Sequence, residues 1–339
     1  MAAADAAARC TAADRAARWR RPIRKHSGGR PGRMIHSRTI RVAPPRRTGY
    51  PSRMRPVDVL LLAALSAIWG GSFIFMRYLA PLIGPVATAA ARMLIAGLAL
   101  AGGFLAVRYD AGWRRNARHF LVLGVLNSAV PAVLYSAAAL VLPASLEAIF
   151  NALSPMFAVV FAALWLGERL TARKAAGLAV GVAGVAFTSR FSGVAFDART
   201  GLAMAACLLA PACYGLSGIY LKRRTAGTPS LAIAGGSQLF GGLALLPFLL
   251  VAPPGPAPID LRIALIAVAF GLLCNALAYI IYYRLMATVG PTRALTVTFL
   301  VPVFAMGWGW LFLGEPVTWG MAAGAAVILA GTWLVAGRN

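Results

Sequence analysis

Charge is scarce in this chain. Asp, Glu, Lys and Arg together make up 12% of its 339 residues, and only nine of them are acidic. A soluble domain of that length needs a far more charged surface, so an ordinary water-exposed globule is excluded. Cysteine is scarce too: Cys10, Cys207, Cys213 and Cys274 form no CxxC pair or metal-type spacing, and the last three lie in apolar runs as buried, inert thiols. Of three histidines, His26 and His36 fall in the first 57 residues and His119 stands at the entry of an apolar run. No HExxH or HxxxD motif and no paired intramembrane carboxylates occur, which removes the usual tools of a membrane-embedded enzyme, the second class weighed. No Walker A motif occurs, so nothing supports ATP-driven work. No metal, no cofactor and no catalytic residue is expected.

What the chain has in abundance is apolar length. Hydrophobic residues make up 60% of it, with a mean hydropathy of +0.75. From Val57 onward the runs reach about 20 residues, the length a helix needs to cross ~30 Å of hydrocarbon. The net charge of +24 resembles a nucleic-acid signal, but its placement argues otherwise: residues 1–57 hold fifteen Lys/Arg and two acids, or +13. Thirty arginines against three lysines, with abundant alanine, is the codon bias of a GC-rich bacterium. The Ala-, Arg- and Pro-rich tail 1–57 has no apolar periodicity and reads as disordered, with no signal-peptide h-region. Met54-Arg-Pro-Val-Asp58 looks like a natural start, making residues 1–53 translated upstream sequence; a real tail would be a cytoplasmic arm near anionic headgroups. No nucleic-acid partner is expected, the lipid bilayer is, and monomer and homodimer both stay open.

Breaks between apolar runs predict ten helices, near 58–78, 84–107, 118–140, 144–166, 171–189, 201–221, 229–251, 262–285, 291–313 and 317–337. The fold class expected is therefore an all-α polytopic membrane protein, with short loops that force antiparallel neighbours. With the N-terminus in the cytoplasm, thirteen Lys/Arg outside the tail fall on the cytoplasmic side and four (Arg77, Arg190, Arg199, Arg262) on the other. By the positive-inside rule, both termini are cytoplasmic.

The two halves repeat. Residues 154–188 align without a gap onto 301–335 at an offset of 147, with fifteen of thirty-five positions identical. Among them are Pro155/Pro302, Phe157/Phe304, Gly167-Glu168/Gly314-Glu315, Thr171/Thr318 and Gly184/Gly331. Earlier segments correspond more weakly: Trp69-Gly70-Gly71-Ser72 with Tyr214-Gly215-Leu216-Ser217, and Tyr135 with Tyr282. Two units, 58–190 and 201–337, would each hold five helices. An odd number makes the second enter the membrane from the opposite side, the inverted-topology repeat of many secondary transporters.

At these residues the chain resembles the drug/metabolite transporter superfamily, specifically its EamA-type ten-helix transporters. Trp69-Gly70-Gly71-Ser72-Phe73 followed by Arg77 is similar to the family's opening helix, and Arg92 with Met93-Leu94-Ile95-Ala96-Gly97 to its second. Leu166-Gly167-Glu168-Arg169-Leu170-Thr171 matches the signature at the end of helix four, and Leu313-Gly314-Glu315-Pro316-Val317-Thr318 repeats it at the end of helix nine. The resemblance covers about 58–337. It implies a secondary transporter of the plasma membrane, often an exporter of amino acids, other metabolites or toxic compounds, and it fixes no substrate. An importer is the alternative direction.

Intramembrane charge marks the candidate site, since each such group costs roughly 2.5–3.5 kcal/mol by insertion scales and needs a partner or a wet cavity. Arg92 in helix two and Glu147 near the start of helix four stand out, with Arg92 long enough to reach toward that carboxylate. Glu147 is expected to carry a coupling proton, and Arg92 to tune it or to meet an anionic group of a small-molecule substrate. The alternatives are a helix-start acid favoured by the dipole and a structural arginine. Around them Trp69, Asn127, Tyr135, Asn151, Gln238, Asn275, Tyr279, Tyr282 and Tyr283 suit the few polar groups of a small-molecule cavity, or else interhelical hydrogen bonds. Glu168 and Glu315, at span ends, are expected to shape tight turns. Gly177-xxx-Gly181 and Gly320-xxx-Gly324 are expected to mark close packing, inside the bundle or between copies. Pro155 and Pro302 are candidate flexing points.

Overall fold

The computed structural model describes residues 54–336, apart from 226, 253–254, 295 and the side chains of 291 and 292. The tail 1–53, with the expectations placed on it, lies outside the described residues. Every regular element among the described residues is helical. Eight helices are long and apolar enough to cross a membrane: α1 (Pro56–Ile83), α2 (Pro85–Ala106), α3 (Trp113–Ala138), α4 (Ala144–Leu166), α6 (Ala198–Arg224), α7 (Ser230–Val251), α8 (Leu261–Val289) and α10 (Trp319–Ala336). Two others fall short. α5 (Ala172–Phe191) carries Arg173, Lys174 and Arg190 at its ends, and α9 (Val297–Leu313) has 17 residues, preceded by a single turn, Pro291–Ala294.

Local chemistry sets the boundaries. Gly84, at φ 87°, ends α1, and Pro85 opens α2 at a position where its missing N–H costs nothing. α4 and α9 both end on glycines in the left-handed region, Gly167 (φ 66°) and Gly314 (φ 64°). Thr171 and Thr318 then cap α5 and α10, accepting from Lys174 N (3.4 Å) and Met321 N (3.2 Å). α4 breaks at Ala152–Leu153, just before Pro155, which has no N–H to donate. α3 and α8 each contain a π-helical stretch, Val125–Ala129 and Phe270–Leu277, a feature often found at functional positions.

The packing pairs helices of the two halves: α1 with α9, α2 with α7, α4 with α6, and α5 with α10. Contacts made in one half recur in the other. A Cβ on Gly97 would come within 2.5 Å of the Leu239 backbone, and one on Gly242, 145 residues on, within 2.9 Å of Leu94. Gly70 lies as closely against Phe304 and Ala305 as Gly215 lies against Phe157 and Ala158. Both GxxxG motifs face inward in this chain. Gly177 packs on Gly331 and Val335, Gly181 on Met156, Gly320 on Phe191, and Gly324 on Thr188. Small residues let backbones approach where water-driven burial is absent.

Candidate functional site

Of the polar side chains singled out from the sequence, Trp69 on α1, Asn127 on α3, Gln238 on α7 and Asn275, Tyr279, Tyr282 and Tyr283 on α8 gather mid-bundle, joined by Ser217 of α6. The π stretch of α3 holds Asn127 and Ser128, and that of α8 holds Cys274 and Asn275. Gln238, buried on α7, joins them: its Nε2 donates to Ser128 Oγ at 3.2 Å, and its amide meets that of Asn275 at 2.8 Å. Asn127 Oδ1 accepts from Ser217 Oγ at 2.8 Å. Tyr279 interacts with the side chains of Asn127, Ser128 and Gln238. Its ring lies 6.4 Å from Trp69 and 6.1 Å from Tyr283, while Tyr282 lies 5.4 Å from Trp69. Trp69, Asn127, Tyr214, Tyr279 and Tyr282 keep partial accessibility although they sit mid-helix among core neighbours. Together they form a cluster of aromatic rings bearing a few amide and hydroxyl groups.

Arg92 projects from α2 into this group. Its guanidinium lies 4.8 Å from the centre of the Phe270 ring, and Nη1 approaches Met76 Sδ at 3.6 Å. With the Asn275 amide oriented to satisfy its neighbours, Arg92 Nε donates to it at 3.3 Å. Tyr214, Cys274 and Tyr279 are its electrostatic neighbours. No ion pair joins it to Glu147 or to any other acid among the described residues. The reach expected of Arg92 toward Glu147 is therefore absent; α2 directs the side chain at α8 instead.

Glu147 is wholly buried one turn into α4, and among the described residues neither carboxylate oxygen has a hydrogen-bond partner. Its charged neighbours are Arg77 and Glu315. Tyr135 OH donates to Asn151 Oδ1 at 3.1 Å, joining α3 to α4 nearby.

Sequence reasoning assigned Glu315 only to a turn, but its side chain ties three segments together. Glu315 Oε1 stands 3.4 Å from Arg77 Nε on α1, and Oε2 accepts from Ala144 N, the first N–H of α4, at 3.0 Å. Arg77 Nη1 in turn donates to Ala139 O, just past α3, at 2.5 Å. Burial pushes the Glu315 carboxyl above the usual carboxylate range, against the opposing pull of Arg77 and the Ala144 N–H. At the other end of α4, Glu168 accepts from Lys222 Nζ of α6 at 2.8 Å, and Arg223 donates to Trp165 O. That hydrogen bond holds the exposed Glu168 carboxyl below the usual range. The turns themselves are made by the glycines and capping threonines. One signal for these ties lay in the sequence: Arg77 and Lys222 are 145 residues apart, Glu168 and Glu315 are 147 apart, and Glu147 is the only other glutamate.

A further groove of about 480 Å³, lined by Ile68, Phe75, Leu273, Cys274, Trp308 and Phe312 among others, is apolar.

Residues 58–190 and again 201–337 match the profile of the EamA-like transporter family. The chain belongs to this family. As an EamA-like transporter it is a multi-pass membrane protein, and its relatives are named accordingly. An uncharacterized transporter of Archaeoglobus fulgidus is 24% identical over 81% of this chain and 97% of its own. A probable terminal-alkyne amino-acid exporter of Streptantibioticus cattleyicolor is 26% identical, covering 80% and 90% respectively. A solved crystal structure shares the fold, with a TM-score of 0.58 at 19% identity over 83% of this chain and 96% of that one.

Proposed function

We propose that this EamA-like transporter is a proton-coupled secondary exporter of a small metabolite, amino acid or toxic compound, working by alternating access in a bacterial inner membrane. Its ten helices form two inverted five-helix repeats, 58–190 and 201–337, with both termini cytoplasmic. The observation that carries this is the reciprocity of the contacts. Gly97 meets Leu239 as Gly242 meets Leu94, and the acid of each repeat is tied to the cation of the other: Glu315 to Arg77, Glu168 to Lys222. Two inverted halves joined by like contacts have two near mirror-image arrangements, and exchange between them opens a midplane site to each side in turn. The excess of Lys/Arg on one set of loops supports the orientation.

In this orientation Glu315–Arg77 closes the outer end and Glu168–Lys222 the inner end. The outer tie is the more enclosed of the two. The position matching Ala144, whose N–H bonds Glu315, is Pro291, which has no N–H to offer Glu168. An exporter loads from the cytoplasm, and a weaker inner tie favours that loading state. Glu147, buried beside the outer tie with no partner, is the proton carrier: a lone buried carboxyl is a poor home for a fixed charge and changes protonation as its surroundings open.

The test is efflux from a sensitive bacterial host expressing the full chain and challenged with amino acids, toxic analogues, nucleosides and cationic dyes. Protection and lower accumulation of one class are expected. Glu147→Gln is expected to abolish proton-driven efflux while substrate exchange in proteoliposomes continues. Unchanged proton drive in that variant would remove Glu147 from the mechanism.

A further inference from the structure

Arg92 is a full positive charge set deep among apolar helices without a carboxylate to answer it. Its contacts are a ring face, a thioether and one amide oxygen. As a residue Arg92 is half-buried, as its neighbours Tyr214 and Tyr279 are. The acids of the described residues lie elsewhere: Asp58, Asp110, Asp197, Asp260, Glu168 and Glu315 at helix ends, and Glu147 sealed into α4.

Asn127 has its carbonyl oxygen engaged by Ser217 and its side chain hydrogen-bonded to Tyr279, which Arg92 also adjoins. A site with a planar, five-donor cation and, among the described residues, no carboxylate paired to it matches a carboxylate, which the guanidinium fork can hold through two parallel bonds. The rings of Trp69, Tyr279 and Tyr282 offer flat apolar surface for the rest of a small molecule. A cationic ligand would meet Arg92 as a like charge in a poorly hydrated interior, which repels it strongly.

We propose, resting on the transporter reading above, that Arg92 anchors the carboxylate of the substrate. The substrate class is then small organic acids and zwitterions with a free carboxylate, and amines and quaternary cations are excluded.

A charge series on one body tests this: phenylacetate, L-phenylalanine, phenethyl alcohol and phenethylamine, titrated onto the purified full chain with binding read as a shift in thermal unfolding. Phenylacetate and L-phenylalanine are expected to bind at least about tenfold more tightly than the alcohol and the amine. Arg92→Gln is expected to erase that ranking, and Arg92→Lys to keep part of it, because lysine preserves the charge but not the fork. The wild-type ranking needs no variant to fold. The assignment is overturned if the amine binds as well as the acid, if none of the four binds, or if the ranking survives in a folded Arg92→Gln protein. Counterflow of the same probes in proteoliposomes separates the two readings. Transport of the amine independent of Arg92 ends the carboxylate assignment and leaves the transporter standing. Arg92-dependent binding of phenylacetate with no transport of it does the reverse.

Discussion

Glu315 does three jobs with two oxygens. It offers Arg77 a counter-charge, gives the first N–H of α4 an acceptor that the helix cannot supply itself, and by holding Arg77 steers Nη1 onto Ala139 O. The jobs separate under substitution. Glu315→Gln keeps an oxygen for Ala144 and gives up the charge. About a third of the Arg77 side chain stays open to solvent (32%), so the loss of the ion pair is screened, and a cost of about 1 kcal/mol is expected. Glu315→Ala also strands the Ala144 N–H and is expected to cost about 2 kcal/mol more. Thermal unfolding of the two variants in one detergent checks this. Equal midpoints for Gln and Ala would mean that the cap on α4 contributes nothing. Residue by residue, the sequence was an uneven guide to this region. Arg92 and Glu147 stood out because charge in an apolar run is conspicuous. Glu315 did not, because at a span end an acid has an innocent explanation, and only its partner across 238 positions reveals the role.

At the scale of elements, apolar run length was enough to place the helices, because crossing hydrocarbon leaves few other ways to satisfy the backbone. The π stretches in α3 and α8 were not readable, since a bulge of one extra residue per turn leaves no mark in composition. They bring Asn127, Ser128 and Asn275 onto one polar group, so the site's residue types could be named from the sequence but not their network. Helix pairing was half legible: the GxxxG spacings announced close approach without saying to what. The α2–α7 contact gives a sharp check. A methyl on Gly97 would strike the Leu239 backbone, at 2.5 Å from Cα and 2.6 Å from N, whereas one on Gly242 would meet the Leu94 side chain at 2.9 Å and its backbone N at 3.0 Å. The Leu94 side chain can turn aside, and its backbone is met less closely than that of Leu239. Gly97→Ala is therefore expected to cost about 2–3 kcal/mol and Gly242→Ala about 1 kcal/mol. Thermal unfolding in detergent reads the difference, and the opposite order would mean that the backbones there are not in contact as described.

For the molecule as a whole, the two ties differ in their response to acid. The Glu168 carboxyl is held below the usual carboxylate range of about 4.3 by Lys222, so its tie is complete above that value and is lost only as the pH falls through the lower, folded one. The Glu315 carboxyl is pushed above that range by burial, so acid neutralises it first. The sign of the stability effect follows. Burial penalises the charged form of Glu315, and protonation relieves that penalty while giving up the attraction to Arg77. Mild acid should therefore loosen the outer end without unfolding the protein. Spin labels at positions 140 and 317, on a cysteine-free background, report the outer end, and labels at 169 and 224 report the inner one. As the pH falls from neutral, the outer distance distribution is expected to broaden toward longer values before the inner one changes. Glu315→Gln, which cannot ionise at this position, should show the broadened outer distribution at every pH. If the inner pair opens first, or the Gln variant still responds to acid, then Glu315 is not the group that sets the balance between the two ends. In the proton-coupled exporter we propose, the expected order has a direct consequence: protons arriving from outside would weaken the outer closure, beside the buried carboxyl of Glu147 proposed to carry them.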